Sequence, residues 1–425
     1  QIALIADENL RFSSYLRNKL LRNEDFMKTV GIIAEYNPFH FGHRYHIKQA
    51  KERTGADLAI IMMSGNYVQR GTPAYLDKYT RAGVALKNGA DLVLELPLIY
   101  ACSSAEIFAT GAVSLLNKTG ITDFLCFGTE NADTDELYQA AVLLNEEPAE
   151  FKSLLKSELK SGLSFPAARM KALTLCCPGL KHTLSSPNNI LGLEYLRAML
   201  NTRSTMTPLA IKRIYAGYHD TAGDFPQYCA SALRALDNVE LLSSIDTLYT
   251  EQFHQTFPVY PKDFDLILGE RLLSACHNNL LTEYADVNMD LANSIKNHMD
   301  EYLGFEEFID ILKKKHLTHT RISRSLLHIM LGLTQDSLKY ALDTHAPQYV
   351  RVLGFTEKGR SLIGKFAPGM IPLIKTSDYK NQLKNPTDLM IFRQNLLADE
   401  LYRMTAAYKY HSSIPTEFTY RIQPV

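Results

Sequence analysis

The sequence has no excess of charge of either sign, few cysteines and no long apolar run. Its 425 residues include 45 Lys and Arg against 46 Asp and Glu, a formal charge of −1, and the pI is near 7.0. This balance excludes a protein that is basic over its whole surface. Any contact with RNA must therefore come from a local cluster of Lys and Arg.

The six cysteines form no CxxC pair and no Cys/His spacing that suits tetrahedral zinc, so we expect reduced thiols and no protein-held metal. No apolar run reaches 18 residues, and no basic segment followed by an apolar stretch opens the chain, which predicts a soluble, cytoplasmic protein. Residues 1–26 contain no Met, and Met27 precedes a strong strand pattern. We expect residues 1–26 to be an N-terminal extension outside the functional chain.

Short apolar runs alternate with helical patterns from residue 28 to about 215, which predicts an α/β, Rossmann-like domain with a mainly parallel sheet. The predicted strands are 30–34, 58–63, 92–96, 124–127 and 211–214. The predicted helices of this half are 42–53, 77–88 and 104–117. In such sheets ligands bind at the carboxyl ends of the strands, so the loops after the first, second and fourth strands are the candidates for function.

Strand signals fade after about residue 240, and apolar residues then recur at helical spacing in 264–278, 289–296 and 322–333. The second half is therefore predicted to be predominantly helical. We divide the chain into the extension 1–26, a catalytic domain 27–240 and a helical domain 241–425.

The most informative segment follows the first strand and reads His40-Phe41-Gly42-His43. Two imidazoles bracket a glycine at the expected start of a helix, and the glycine lets backbone approach a bound phosphate chain. Transfer at phosphorus depends on positioned donors that stabilise charge on oxygen, so His40 and His43 are the candidate catalytic residues.

Several further segments follow His40 to His43 along the chain, and their order makes the resemblance to a known family specific. They are Ser64 to Gly71, Asp77-Lys78, Gly89 to Pro97, Ser104 to Glu106, Phe127 to Glu130, Ser186 to Gly192 and Lys212 to Ile214. With His40 to His43 they resemble the bacterial tRNA(Met) cytidine acetate ligase family, of the HxGH nucleotidylyl-transferase superfamily. The resemblance runs from Met27 through the C-terminal half.

The resemblance implies that ATP adenylylates acetate and that the acetyl group then passes to the wobble cytidine of elongator tRNA(Met), with Mg²⁺ neutralising the leaving group. It also implies a set of ATP-binding residues, which includes a segment we call the signature loop, residues 33–46. The set is Ile33, Ala34, Glu35, Tyr36, Asn37, Pro38, Phe39, His40, Phe41, Gly42, His43, Arg44, Tyr45, His46, Gly128, Asn188, Arg213, Ile214, Ser231 and Arg234.

A basic segment, residues 313–324, contains five Lys and Arg and no acidic residue, a composition suited to neutralising RNA phosphates. Together with a loop residue after the second strand, it gives the candidate tRNA contacts. They are Arg70, Lys313, Lys314, Lys315, Arg321 and Arg324. The alternative for such a segment is a solvated helix face.

Glu95 and Glu106 stand at positions where an acid/base pair could lie, but adenylylation of an ionised carboxylate requires no base. Glu95 is interpreted as structural, and the role of Glu106 stays open. Two other functions also stay open: a cofactor-forming nucleotidylyltransferase, and a tRNA-binding protein without catalysis. The first would give a nucleotidylated product without RNA, and the second would release no pyrophosphate.

Overall fold

The structure is a computed structural model that describes residues 27–130, 134–163, 165–178, 186–213, 256–314, 317–343, 346–422 and 424–425. The strands are β1 Thr29–Ala34, β2 Leu58–Ser64, β3 Tyr67–Val68, β4 Thr72–Pro73, β5 Leu92–Leu96, β6 Phe124–Thr129, β7 Thr207–Lys212, β8 Tyr349–Phe355 and β9 Ile371–Leu373. The helices of the sheet half are α1 Phe41–Thr54, α2 Lys78–Lys87, α3 Leu98–Ala101, α4 Ala105–Thr119, α5 Thr134–Glu146, α6 Ala149–Lys160, α7 Phe165–Cys176 and α8 Pro187–Asn201. Those that follow are α9 Asp265–His277, α10 Met289–Asn297, α11 Phe305–Leu312, α12 His319–Leu331, α13 Gln335–Asp343, α14 Glu357–Ile363, α15 Tyr379–Gln382 and α16 Pro386–Tyr410.

Seven of these strands form one sheet in the order β7-β6-β1-β2-β5-β8-β9. The first five are mutually parallel, whereas β8 runs antiparallel to β5 and parallel to β9. Strands β2 and β5 are buried along their whole length, because helices cover both faces of the sheet. The predicted α/β fold with a helical C-terminal region is confirmed.

Two details differ from the sequence prediction. The fifth predicted strand lies at Thr207–Lys212, earlier than the predicted 211–214, and it includes Pro208. Proline is tolerated there because β7 is an edge strand of the sheet. Strands β8 and β9 were not predicted, and they show that the C-terminal half contributes to the sheet. The predicted division at residue 240 falls outside the described residues and stays a proposal.

The two faces of the sheet have separate apolar cores. One face, which includes Ile32, Ile61 and Val93, packs with residues of α1 and α2. The other face includes Ile60 and Leu94, and its core continues into the helical half. The helical half is thus part of the same folded body as the sheet, joined on one side of it.

A group of buried charged side chains also joins the halves, and we call it the five-charge cluster. Its members are Lys78, Glu95, Arg351, Asp399 and Glu417, each at most 8% exposed. Lys78 Nζ lies 2.9 Å from Glu95 and 2.5 Å from Asp399, and Arg351 lies 3.4 Å from Glu95 and pairs with Glu417. Because α2, β5, β8, α16 and the C-terminal segment each supply one member, the cluster fixes five parts of the chain together.

Candidate active site at the carboxyl edge of the sheet

The signature loop leaves β1 at Ala34 and becomes helix α1 at Phe41, with His40 as the N-cap residue. The Gly42 N–H donates to His40 Nδ1 at 3.1 Å, and the His40 N–H donates to His43 Nδ1 at 3.2 Å. The two rings stack with centroids 3.7 Å apart. Since each Nδ1 accepts a hydrogen bond, each neutral ring carries its proton on Nε2. The Nε2–H groups are therefore the donors that the pair can offer to a ligand.

Burial keeps three histidines of this region neutral, and we call His40, His43 and His46 the histidine cluster. Burial and then the nearby Arg213 lower the pKa of His40 and of His46 to about 4. Burial also holds the pKa of His43 well below its usual range, and His40, Arg213 and His46 add to the effect. At neutral pH the cluster thus presents neutral donors, and Arg213 supplies the adjacent positive charge.

Gly42 has a steric role in addition to the expected approach of backbone to phosphate. A Cβ at this position would lie 2.9 Å from Cε1 and 3.1 Å from Nδ1 of His40. Any side chain would displace the His40 ring from its capping position. The glycine of the motif is therefore needed to place the first histidine.

The second wall of the site is a hydrogen-bonded chain that starts at Arg213, directly after β7. Arg213 donates to Asn188 Oδ1 at 2.9 Å, and Asn188 Nδ2 donates to Glu130 Oε1 at 2.7 Å. Gly128 makes room for Arg213, since a Cβ there would lie 3.2 Å from Arg213 Cγ. The structure thus brings together Gly128, Asn188 and Arg213, three residues that the sequence predicted to share a ligand.

The sequence analysis assigned no role to Glu130 or Asn189, which complete this wall. Glu130 Oε2 accepts the Asn189 N–H at 3.1 Å, and Asn189 Oδ1 accepts the Glu130 N–H at 2.9 Å. Asn189 is fully buried. Both residues stand in the segments that carry the family resemblance, beside predicted ligands, and that adjacency was the available signal.

Several side chains of the signature loop are directed into the protein. Tyr36 and Phe39 belong to the apolar core of that sheet face. Asn37 Oδ1 accepts the Tyr75 N–H at 2.7 Å, and Glu35 Oε1 accepts the Gln69 N–H at 2.7 Å. These side chains hold the loop in place, so any contact they make with ATP would come from their backbone. Their assignment as ATP ligands stays a prediction.

The remaining signature-loop residues differ in exposure. Gly42 and Arg44 are exposed, whereas Ile33, Ala34, Phe41 and Tyr45 are partly buried and Pro38 is buried. His46 Nε2 lies 3.3 Å from the Cys126 thiol, and burial raises the pKa of that thiol. Ile214, Ser231, Arg234 and Lys315 lie outside the described residues.

The structure places the residues of the basic segment in two different settings, a stretch after α11 and the start of α12. Lys313 and Lys314 are exposed after α11, Thr318 caps α12, and Arg321 lies in its first turn, partly buried. Arg324 is only 12% exposed and pairs with Asp286 at 3.2 Å. The segment is therefore not one continuous helix face, and Arg324 has a structural partner that the sequence did not reveal.

The predicted RNA contact Arg70 lies close to this segment in space. Its neighbour Gly71 packs on α12, where Ser323 Oγ donates to the Gly71 carbonyl at 2.9 Å. Arg70 itself is exposed. The fold thus places Arg70 beside the basic segment, although about 250 residues separate them in the sequence.

The two carboxylates discussed above have different surroundings. Glu95 lies in the five-charge cluster, which supports its interpretation as structural. Glu106 is 54% exposed and lies 3.4 Å from Arg197 and 3.6 Å from Arg169. These contacts assign Glu106 to a surface ion-pair group and leave its role open.

Known proteins are similar to this chain over most of its length. The family model described as HIGH Nucleotidyl Transferase matches residues 27–415. The tRNA(Met) cytidine acetate ligase of Acetivibrio thermocellus is 38% identical over 414 residues, which cover 93% of this chain and 99% of that protein. The enzyme of the same name from Halothermothrix orenii is 38% identical over 400 residues, covering 88% and 93%.

Two crystal structures of Thermotoga maritima TmcAL have the same fold as this chain. The apo form is 31% identical with a TM-score of 0.81. The form bound with alpha-thio ATP is 30% identical with a TM-score of 0.80. Each alignment covers 89% of this chain and 95% of the crystallised chain.

Proposed function

This chain belongs to the HIGH nucleotidyl transferase family and, within it, to the tRNA(Met) cytidine acetate ligases, and from that premise we propose its reaction. The enzyme adenylylates acetate with ATP and transfers the acetyl group to N4 of the wobble cytidine of elongator tRNA(Met). The observation that carries the proposal is the site itself: Arg213 lies close enough to His40 and His43 to lower the pKa of each, and it also bonds to Asn188. A structure of the same family is bound with alpha-thio ATP.

The first step forms a mixed anhydride. An acetate oxygen attacks the α-phosphorus of ATP, the bond to the β-phosphate oxygen breaks, and pyrophosphate leaves. Neutral His40 and His43 donate Nε2–H to phosphate oxygens, and Arg213 pairs with the negative charge there. Acetate is already ionised, so no general base is required.

The second step transfers the acetyl group without a protein nucleophile. The cytidine N4 amine attacks the acetyl carbon, the bond to AMP breaks, and the amine loses a proton to solvent. Arg70, Lys313, Lys314 and Arg321 hold RNA phosphates near the site. Lys315 extends this set by sequence, as do Ser231 and Arg234 for the phosphates of ATP.

Magnesium is proposed to enter with ATP. No group of three His, Cys, Asp or Glu side chains suited to a metal is found in the described part of the chain. Mg²⁺ usually keeps several waters and binds through substrate phosphates, so it needs no cage of protein ligands. When bound, it would neutralise charge on the leaving pyrophosphate.

No helix in the described ranges is both long and apolar enough to cross a membrane. We place the enzyme in the cytoplasm because its proposed substrates, ATP and tRNA, are there.

The test is acetate-dependent exchange of labelled pyrophosphate into ATP, run with and without elongator tRNA(Met), followed by nucleoside analysis. We expect exchange that requires acetate, and N4-acetylcytidine in the tRNA, because free acetate becomes an acyl donor only when AMP is its leaving group. Acetyl coenzyme A should not replace ATP plus acetate. A stable nucleotidylated small molecule without RNA would instead indicate a cofactor-forming transferase. Absence of acetylcytidine with ATP binding verified would contradict the ligase.

A further inference from the structure

Helix α12, which follows the exposed lysines of the basic segment, contacts a turn from the sheet half at residues 68–71. Gly71 has φ +83°, and a Cβ there would lie 2.4 Å from the backbone nitrogen of Arg324. Only glycine combines this left-handed conformation with so close an approach. Ser323 Oγ adds a hydrogen bond to the Gly71 carbonyl at 2.9 Å and is 1% exposed. The turn is thus docked on α12 by backbone as well as by a side chain.

The same turn is tied to the first residue after β1. The Gln69 N–H donates to Glu35 Oε1 at 2.7 Å. A backbone N–H bound to a carboxylate makes a charge-assisted hydrogen bond, which is stronger than one between neutral groups. Two residues of the turn therefore link Glu35 to α12.

The backbone of Glu35 is held independently by Arg81, which is fully buried. Arg81 donates to the Glu35 carbonyl at 2.6 Å and to the Ser64 carbonyl at 3.1 Å. Both bonds come from Nη1, which thereby joins the residue after β1 to the end of β2. The Glu35 side chain is bonded to Gln69, so a shift of the 68–71 turn acts on Glu35 within the signature loop, while Arg81 holds the Glu35 backbone against the end of β2. His40 lies five residues further along that loop.

We propose that Glu35 is a positioning residue that joins the RNA-binding helix α12 to the signature loop, so that bound tRNA speeds formation of the acetyl-adenylate. This inference rests on the proposed function. Arg321 lies one helical turn before Arg324, whose backbone nitrogen packs against Gly71, so an RNA phosphate held at Arg321 would act on the docked turn through the same part of α12. The turn is bonded to Glu35 through the Gln69 N–H, and Glu35 in turn positions His40 and His43 relative to ATP.

The experiment measures pyrophosphate exchange at saturating ATP and acetate, with and without saturating elongator tRNA(Met). The readout is the ratio of the two rates. Glu35→Ala removes the acceptor for the Gln69 N–H and should lower the ratio about fivefold or more, the effect of losing one net hydrogen bond. Glu35→Gln keeps an acceptor oxygen and should keep the ratio within about twofold of wild type.

A matched pair of serines on α12 gives a second test that does not alter the signature loop. Ser323→Ala removes the donor to Gly71 and should lower the ratio, while the Kd for tRNA stays the same. Ser325 is equally buried but bonds to the Asp286 and Arg321 carbonyls, so Ser325→Ala should keep the wild-type ratio. The double variant Glu35→Ala/Ser323→Ala should be no worse than Glu35→Ala alone, since both changes break one connection.

The outcomes separate this inference from the proposed function. If wild-type enzyme makes acetylcytidine but tRNA does not accelerate exchange, or if Glu35→Ala keeps the wild-type ratio, the inference is wrong and the ligase assignment stands. Equal loss in Glu35→Ala and Glu35→Gln would also overturn it, because the effect would then follow charge and not the hydrogen bond. If wild-type enzyme makes no acetylcytidine, the proposed function itself fails.

Discussion

Two clusters of buried polar side chains lie at the carboxyl edge of the sheet, and their electrostatics are opposite. In the histidine cluster, burial and Arg213 lower the pKa of His40 and His46 to about 4, so the imidazoles are neutral. In the five-charge cluster, burial alone would raise the pKa of Glu417, but Lys78 and Arg351 lower it to about 2. Charge persists on Glu417 because Lys78 and Arg351 lie beside it, whereas burial raises the pKa of Asp399 in the same cluster.

This difference in how the polar groups are paired indicates which of the two clusters can bind a substrate. Every member of the five-charge cluster lies beside an oppositely charged member of the same cluster. In the histidine cluster, His40 and His43 use their Nδ1 atoms internally and keep their Nε2–H donors, whereas His46 Nε2 lies 3.3 Å from the Cys126 thiol. Arg213 lies near enough to lower the pKa of His40. We therefore propose that the five-charge cluster stabilises the fold and that His40 and His43, with Nε2–H donors left to offer, face the substrate.

The largest expected effect is a loss of stability when an ion pair of the five-charge cluster is broken. Lys78→Met leaves Glu95 and Asp399 buried without one of their cations, and loss of one partner of a buried ion pair costs about 3–5 kcal/mol. The free energy of unfolding, measured in urea, should fall by that amount. As a matched control, Lys48→Met breaks an exposed pair with Glu52 at 3.7 Å and should cost less than about 1 kcal/mol. Equal losses would show that the five-charge cluster does not stabilise the fold.

Changing the histidine cluster should instead reduce turnover. His40→Ala and His43→Ala each remove a positioned donor and should lower the exchange rate by on the order of 10². The stability cost of His40→Ala is that of a lost helix cap, about 1 kcal/mol. His277→Ala, at an exposed position of α9, is the control and should leave the rate unchanged. Near-normal rates in both variants would remove these histidines from the mechanism.

The sequence predicted the sheet core, but it did not predict the contacts that join the two halves. Apolar runs such as β2 and β5 and the glycine of His40-Phe41-Gly42-His43 have local signals, because burial on both faces and tight turns restrict residue type at each position. The grouping of Gly128, Asn188 and Arg213 came from the family resemblance, and the fold brings them together as expected.

Strand β8 shows why the rest was not predictable. Arg351 stands in the middle of a strand that is buried throughout, and a charge there argues against a buried strand when only neighbouring residues are considered. Its partners Glu95, Asp399 and Glu417 are distant in sequence, so the compensation exists only in the folded chain. The pairing of Arg324 with Asp286 was hidden for the same reason.

The two clusters should also differ in how they change the free energy of unfolding with pH. An unfolded histidine has a pKa near 6.5, whereas that of His46 is about 4, so between these values only the unfolded chain binds the proton. Each such histidine therefore lowers the free energy of unfolding by about 1.4 kcal/mol per pH unit as pH falls from 6.5 towards 4. His46→Gln has no such histidine to protonate. As pH falls from 6.5 towards 4, its free energy of unfolding relative to wild type should therefore rise by about 1.4 kcal/mol per pH unit.

The comparison must be made as a difference between variant and wild type, because Asp399 acts with the opposite sign. Burial raises the pKa of Asp399 to about 8, so the folded chain binds its proton first and gains stability as pH falls from 8 towards 4. That contribution is common to both proteins and cancels. His277→Gln replaces a histidine at an exposed position and is the control. A flat difference between His46→Gln and wild type would contradict the lowered pKa of His46.

The smallest effect extends the contrast to α12, the helix proposed to bind RNA, where Arg321 and Arg324 stand three residues apart. Arg324 is compensated by Asp286 at 3.2 Å, whereas no ion pair is found for Arg321 within the described residues. Arg321→Gln should therefore reduce the slope of log affinity for tRNA against log salt by about 1, since one fewer counterion is released. Arg324→Gln should leave that slope unchanged and cost on the order of 1 kcal/mol in unfolding free energy. The reverse result, with the salt slope following Arg324, would mean that the Asp286 pair opens when RNA binds and that internal compensation does not separate structural from binding residues on α12.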